Sequence, residues 1–378
     1  MALRLREKLL YGALRVAHAF AQRAPNPAEL GTPAIRHILA VSATAIGDTL
    51  LSTPALRSLR IAYPDARVAL LINAAYVDLF RDLPHVDELI PYHGGWRRFL
   101  RLARALRAHR FDLACILHGN EPQATPLAWL SGARFIFKLP NTSRFRFLLT
   151  NAEPVLGWDD FEHGIDQRLA VARLASGATT DRRMELPVAD DARRQIARLL
   201  TNRDITADTP LIALQTGAST ASRRWAPARF AELARRLLAE RPQLCIVLTG
   251  SPAERPLAVR IATELNDTRV WNAAGELPLP LLPALVERCA LMVSGDTGPM
   301  HLAVTVGTPV VALFAVSDWR RSGPAYDLDR HIVIQKWRTC DPCLSKNCPY
   351  VEPICMENIA VDEVFAAVTG ILDGKAAR

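Results

Sequence analysis

The sequence predicts an α/β protein built from two doubly wound, Rossmann-like parallel-sheet domains, and three observations predict it. Short apolar runs alternate with helix-length amphipathic stretches, the rhythm of strand–helix–strand units whose sheet is covered on both faces. That rhythm breaks between Asn151 and Asp160 and restarts near residue 180. The 378 residues also exceed what one hydrophobic core usually serves.

Residues 1–30 come first as a basic amphipathic helix with a polar link running from Pro25 to Pro33. Leu5, Leu9, Ala13, Val16 and Phe20 share one helical face, with Arg4, Lys8, Arg15 and Gln22 on the other. Arg4, Arg6, Glu7, Lys8, Arg15 and His18 interrupt the apolar run, unlike the core of a secretory signal. Two readings stay open: a helix resting on an anionic inner-membrane surface, or one packed on its own domain. Nothing in the sequence approaches the roughly 20 apolar residues needed to span a bilayer.

The first domain, residues 31–178, reads as strand at His37–Ala43, helix at Thr49–Tyr63 and strand at Arg67–Ile72. An arginine-studded helix follows at Trp96–Arg110, then a strand at Phe111–Leu117. A helix at Pro122–Leu130, a strand at Arg134–Leu139 and a connecting helix at Ile165–Ala175 complete it. The second, residues 179–358, has apolar runs at Leu211–Gln215, Leu244–Thr249, Leu291–Ser294 and Val310–Phe314. Each run leads into a loop bearing Gly, Ser or Asp. A last helix, Val361–Leu372 within residues 359–378, is expected to cross back to the first domain.

Half the residues are hydrophobic and 22% charged, the balance of an ordinary globular protein. The net charge, 46 − 38 = +8, suits an anionic partner such as a nucleotide, an acidic glycolipid or a membrane face. Basic-aromatic repeats and zinc-finger spacings are missing, which argues against nucleic acid. Of seven cysteines, Cys115, Cys245 and Cys289 fall in apolar runs and suit a reducing compartment, so a cytoplasmic enzyme is expected.

In open α/β sheets ligands bind beyond the carboxyl ends of the strands, so the loops there carry the chemistry. The most informative is Leu291-Met-Val-Ser-Gly-Asp-Thr-Gly-Pro-Met-His-Leu-Ala. A strand ends near Ser294 and a helix is expected from about Pro299, a residue suited to a first helical turn. The amides of Thr297 and Gly298, aided by the helix dipole, would face a diphosphate. Asp296 and His301 flank that position. A plain strand-to-helix turn capped by Asp296 or Thr297 explains the glycines but not the whole string. In the first domain, Ala45-Ile-Gly-Asp-Thr-Leu-Leu-Ser-Thr-Pro-Ala-Leu places Asp48 where a helix begins. It reads equally as an N-cap or as a general base that takes the proton of a sugar hydroxyl.

These two strings resemble the bacterial lipopolysaccharide heptosyltransferases of glycosyltransferase family 9, and the likeness runs along nearly the whole chain from about Ile38. The resemblance implies the GT-B architecture, two such domains facing across a cleft. It also implies inverting, metal-independent transfer of heptose from ADP-heptose to an acidic glycolipid acceptor, the lipopolysaccharide inner core. Asp48 matches the family's base, and Asp296, Thr297, Gly298 and His301 match its donor-binding string. Arg223 stands where the family usually has a phosphate-binding Lys two residues before Trp225; an Arg can grip phosphate bidentately. Ala226 intervenes before Pro227, where the family more often has Trp-Pro. Glu254, in Gly250-Ser-Pro-Ala-Glu, resembles a ligand of the donor nucleoside, though it also opens a helix, where acids are favoured anyway.

Cys340, Cys343, Cys348 and Cys355 cluster late in the chain, and relatives often carry a similar group. A structural zinc or iron site, a disulfide and free thiols all stay open. For the acceptor, Arg144, Arg146 and His118 are candidates, while Arg97, Arg101, Arg104 and Arg107 read as a solvated helix face. The alternatives to inner-core heptosyl transfer are a family member acting on another glycan or a protein, a GT-B sugar-nucleotide 2-epimerase, and a binding module without catalysis.

Overall fold

The computed structural model describes residues 5–21, 25–119, 121–340, 343, 347–350 and 352–374. Arg4 and Gln22 of the first helix's polar face, and Asp341 and Pro342 between the first two clustered cysteines, lie outside them. The chain divides into two compact units, Met1–Glu185 and Leu186–Arg378.

The first unit holds a parallel sheet of β1 (His37–Ser42), β2 (Arg67–Asn73), β3 (Glu88–Tyr92), β4 (Leu113–His118) and β5 (Phe135–Lys138). Their order is β3-β2-β1-β4-β5, so the winding reverses between β1 and β4. The α-helices among the unit's described residues are α1 (Leu5–Phe20), α2 (Ile46–Leu50), α3 (Thr53–Ala62), α4 (Trp96–Ala108), α5 (Ala124–Leu130) and α6 (Gly164–Leu174). One sheet face, with Leu39, Val41, Leu71 and Ile116, is covered by Leu14 of α1, Phe99 and Leu106 of α4, and Leu127 and Trp129 of α5. Alternate strand residues such as Ile38, Val68, Leu70 and Cys115 are equally buried, as strands covered on both sides require.

The second unit repeats the plan with β6 (Leu211–Gln215), β7 (Cys245–Thr249), β8 (Val270–Asn272), β9 (Leu291–Gly295), β10 (Val310–Phe314) and β11 (Ile332–Gln335). The order β11-β10-β9-β6-β7-β8 puts its reversal between β6 and β9. Its helices are α7 (Asp190–Thr201), α8 (Pro227–Glu240), α9 (Arg255–Leu265), α10 (Leu282–Arg288), α11 (Gly298–Thr305), α12 (Trp319–Ser322), α13 (Ile354–Glu357) and α14 (Val361–Leu372). The fold class read from the sequence, two doubly wound parallel-sheet α/β domains, is borne out.

Two boundaries differ from expectation. The units part at Glu185–Leu186, beyond the 178/179 boundary, because residues 181–185 are stitched to α3. Arg57 pairs with Asp181 and Glu185, and the Glu185 amide donates to Thr53 Oγ1 at 2.9 Å. The C-terminal helix α14, expected to return to the first domain, instead packs in the second unit. Val364 and Val368 join the core around Trp225 and Phe230, and Trp225 Nε1 and Arg229 Nη1 both donate to the Ile359 carbonyl.

Among the described residues no helix is long and apolar enough to cross a membrane. The α1 helix packs on its own unit through Leu10, Tyr11 and Leu14. The Leu5–Leu9–Val16–Phe20 face stays exposed.

Candidate functional site

In each unit the loops at the winding reversal carry the chemistry-bearing residues, as the geometry of open sheets leads one to expect. In the first unit these are the loops after β1 and β4. Helix α2 begins at Ile46, so Asp48 is its third residue rather than its N-cap, and Oδ2 of Asp48 accepts the Ala45 amide at 3.4 Å. The same oxygen accepts the Thr44 hydroxyl at 2.7 Å. Oδ1 lies 3.0 Å from Arg168 Nη2 and 3.5 Å from His118 Nε2, while His118 Nδ1 sits 2.7 Å from Thr44 Oγ1.

Arg168 was not among the residues the sequence singled out. It is buried on α6, where its guanidinium also donates to Ser52 Oγ and the Gly164 carbonyl. Burial alone would push the Asp48 carboxyl up. His118, Arg168, the Thr44 hydroxyl and the Ala45 amide together outweigh it and hold the group below its ordinary value. Burial, reinforced by Arg168 and only partly opposed by Asp48, brings His118 down to about 4. At neutral pH the imidazole is therefore uncharged, and the charge facing Asp48 is that of Arg168.

Beyond the ends of β4 and β5 lies a cavity of 470 Å³ within the first unit. His118, Glu121, Lys138, Arg144, Trp158 and Glu7 of α1 are among its lining residues. Lys138, largely buried, is paired with Glu121, and the Trp158 ring stands 6.4 Å from that of His118. Of the three acceptor candidates, His118 and Arg144 thus meet on one cavity. Arg146 is not in its lining and lies 3.6 Å from Glu153 at the surface. Trp158 and Lys138 went unnoticed in the sequence.

In the second unit the corresponding loops follow β6 and β9. Helix α11 starts at Gly298, one residue before the expected Pro299, with Thr297 as its N-cap. The Thr297 hydroxyl accepts the Met300 amide at 3.4 Å and bonds Ser294 Oγ at 2.9 Å. It is thus engaged in the turn, and the Gly298 amide is among the first-turn N–H groups that have no intrahelical acceptor. Asp296 is buried, accepting the Ser317 hydroxyl at 2.6 Å and facing Arg223 Nη1 at 3.3 Å. His301 is buried in the first turn of α11.

Two glycines hold these loops together by what they lack. A Cβ on Gly295 would stand 2.7 Å from the Arg223 carbonyl, so the β6 loop lies directly on the end of β9. A Cβ on Gly217 would stand 2.1 Å from the Glu254 carboxyl carbon. Glu254, the N-cap of α9, accepts the Ser251 amide at 2.8 Å, which seats it over the β6 loop. The structure therefore gathers Arg223, Asp296, Thr297, Gly298 and Glu254 around the β6 and β9 loops.

Cys340, Cys343, Cys348 and Cys355 are free thiols. Burial pushes the Cys355 thiol up, and nearby Cys343 and Cys348 add to the effect. Among the described residues no group of three or more His, Cys, Asp or Glu side chains is gathered closely enough to hold a metal ion.

The chain resembles known proteins in both sequence and fold. Residues 99–352 match glycosyltransferase family 9 (heptosyltransferase). The chain is 29% identical over 299 residues to lipopolysaccharide heptosyltransferase 2 of Salmonella typhimurium, covering 74% of this chain and 83% of that protein. It is 26% identical over 314 residues to the lipopolysaccharide core heptosyltransferase OpsX of Haemophilus influenzae, covering 81% and 86%. Two solved structures share its fold. The glycosyl transferase family 9 protein of Veillonella parvula has a TM-score of 0.74 at 23% identity, covering 89% of this chain and 97% of that one. The ADP-heptose lipopolysaccharide heptosyltransferase II of Escherichia coli gives 0.73 at 24%, covering 90% and 99%. The match spans both the Arg223 and the Gly295-Asp-Thr-Gly298 loops, and the chain belongs to glycosyltransferase family 9, the heptosyltransferase family, and is a glycosyltransferase.

Proposed function

We propose that this glycosyltransferase inverts the anomeric centre of ADP-heptose as it moves heptose onto an inner-core lipopolysaccharide acceptor. The observation that carries the reading is a division of chemistry between two winding reversals. One holds an ionised carboxylate, Asp48, and the other a helix N-terminus beside Arg223. The names of the relatives supply the donor and acceptor classes.

In this reading the second unit holds the donor. The diphosphate lies against the Gly298 end of α11 and Arg223, the nucleoside reaches Glu254, and His301 and Asp296 support the loop. The first unit supplies the base and the acceptor cavity. An acceptor hydroxyl oxygen attacks the anomeric carbon, the bond from that carbon to the diphosphate oxygen breaks, and the hydroxyl proton passes to Asp48. Because Asp48 is held below the ordinary carboxylate range it is a weak resting base. It therefore takes the proton late, when bonding to the anomeric carbon has already acidified the hydroxyl. Arg223 and the helix end stabilise the charge growing on the ADP leaving group, so the transfer as written calls on no metal. The acceptor sugar stacks on Trp158, with its anionic groups toward Arg144 and Lys138. The reading puts the enzyme in the cytoplasm, on the inner face of the inner membrane.

The test is mass spectrometry of a heptose-deficient core lipopolysaccharide incubated with ADP-heptose and enzyme. The reading expects one heptose added and ADP released in step with it. Release of ADP at an equal rate without acceptor, or an unchanged acceptor, would overturn it.

A further inference from the structure

The face of α1 that fastens the helix to the protein is not the face richest in apolar residues. Leu14 is buried, and Tyr11 meets Phe145 and Phe147 edge-on with ring centroids 5.7 and 5.4 Å apart. His18 approaches Phe147 and Trp129 on the same side. Half a turn away, Leu5, Leu9, Val16 and Phe20 are 73%, 66%, 61% and 82% exposed, with exposed Ala13 among them. Such a stripe left in water is costly unless something covers it.

The charges on the helix are sorted about that stripe. At about 100° per residue, Arg6 falls on one border and Lys8 on the other, while Arg15, beside Lys8 on the wheel, lays its guanidinium over the Phe147 ring of the docked side at 5.0 Å. Glu7, the acid of the helix, turns toward the docked side and lines the cavity shared by His118 and Arg144. Helix α4 covers the same sheet face as α1 and adds exposed Leu100, Arg97, Arg101 and Arg104. An apolar stripe edged by cations, on a helix pinned by its opposite face, has the anatomy of an interfacial helix.

We propose that this stripe docks on an anionic bilayer surface, so that α1, whose Glu7 forms part of the cavity wall, holds the acceptor cavity beside the lipid. The acceptor is then taken while its acyl chains stay in the membrane. The occupant follows from charge. A second copy of the chain would set Arg6 and Lys8 against their own equivalents, whereas anionic headgroups neutralise them. The statement about the acceptor rests on the transfer reading above; the docking itself does not.

The experiment is sedimentation of the full chain with vesicles, without donor or acceptor. Phosphatidylglycerol-containing vesicles should carry the protein down, phosphatidylcholine alone should not, and salt should weaken the binding. The double variant Leu9→Glu, Val16→Glu changes two exposed positions. It should partition on the order of a hundredfold less while keeping its circular dichroism spectrum and its turnover on a deacylated acceptor. Failure of the wild type to bind anionic vesicles would overturn the proposal. So would a dimer in light scattering that the two substitutions dissociate, which would show a second copy covering the stripe. Vesicle binding is read without chemistry, so its outcome is separate from that of the transfer assay.

Discussion

Arg168 Nη2 ends 3.0 Å from Asp48 Oδ1, joining a fully buried guanidinium on α6 to a carboxylate in the first turn of α2. The pair fixes both the ionisation and the position of Asp48. Because the cation is buried it depends on the carboxylate in turn, and removing one partner of such a pair exposes the desolvation cost of the other. Asp48 therefore has a structural duty beside its proposed chemical one, and the two can be separated.

Asp48→Asn keeps one oxygen for Arg168, with its amide group toward the Thr44 hydroxyl, but loses the base. Its kcat should fall by about two to four orders of magnitude while donor affinity stays within about twofold. Asp48→Ala removes the partner as well and should cost about 3–5 kcal/mol of stability. Urea unfolding beside steady-state kinetics distinguishes the variants. If Asp48→Asn turns over like the wild type, the base is elsewhere.

The pH dependence follows from the directions of two shifts. Asp48 has a folded pKa below its ordinary 3.8. Its contribution to stability is complete above that value and is lost as pH falls through the lower folded one. The acid limb of kcat/KM should accordingly lie below about pH 4. His118 falls from 6.5 to about 4 on folding, so its contribution is present above pH 6.5 and fades as pH drops toward 4. Melting temperature against pH should slope across that window, and His118→Gln should flatten the slope.

Gly217 and Gly295 should respond differently to alanine. At Gly217 the obstacle is the far end of the flexible Glu254 side chain. Gly217→Ala should move that carboxylate and weaken ADP binding about tenfold, with under about 1 kcal/mol lost in stability. At Gly295 the obstacle is the Arg223 backbone carbonyl, which cannot swing aside. Gly295→Ala should cost about 1–3 kcal/mol. Calorimetric ADP titration and chemical denaturation read the two effects.

Trp158→Ala should raise the acceptor KM about tenfold and leave ADP affinity alone, because the ring lines a cavity wholly within the first unit. An equal loss of ADP affinity would contradict the assignment of that cavity to the acceptor.

Much of the fold was legible in the sequence, and what escaped has a common cause. β6, β10 and α14 fall where their apolar patterns put them, since each buries a contiguous run or a regular helical face. The strands that escaped, β3, β8 and β11, all lie at sheet edges. Edge burial is partial, so the apolar signal is weak; β3 even contains Pro91, which ordinarily argues against a strand. The candidate site divides in the same way. Asp48 and the Gly295-Asp-Thr-Gly298 loop announce themselves as strings because backbone and side chain act together locally. Arg168 does not, because an arginine in a helix ordinarily reads as a solvent-facing residue. Only the tertiary structure shows it turned inward between Ile165 and Leu169, both buried. The pairing of Arg223 with Asp296 was hidden for a similar reason, since the two lie on separate strand loops that meet only in space.

The central claim is that a nucleoside diphosphate is held at the start of α11 with Arg223, and isothermal titration with ADP tests it most directly. The wild type should bind ADP. Arg223→Ala should weaken that binding about 10- to 100-fold, the worth of one charge-assisted phosphate contact, and Arg223→Lys should restore part of it. Undiminished affinity in Arg223→Ala, or no ADP binding by the wild type, would contradict the account.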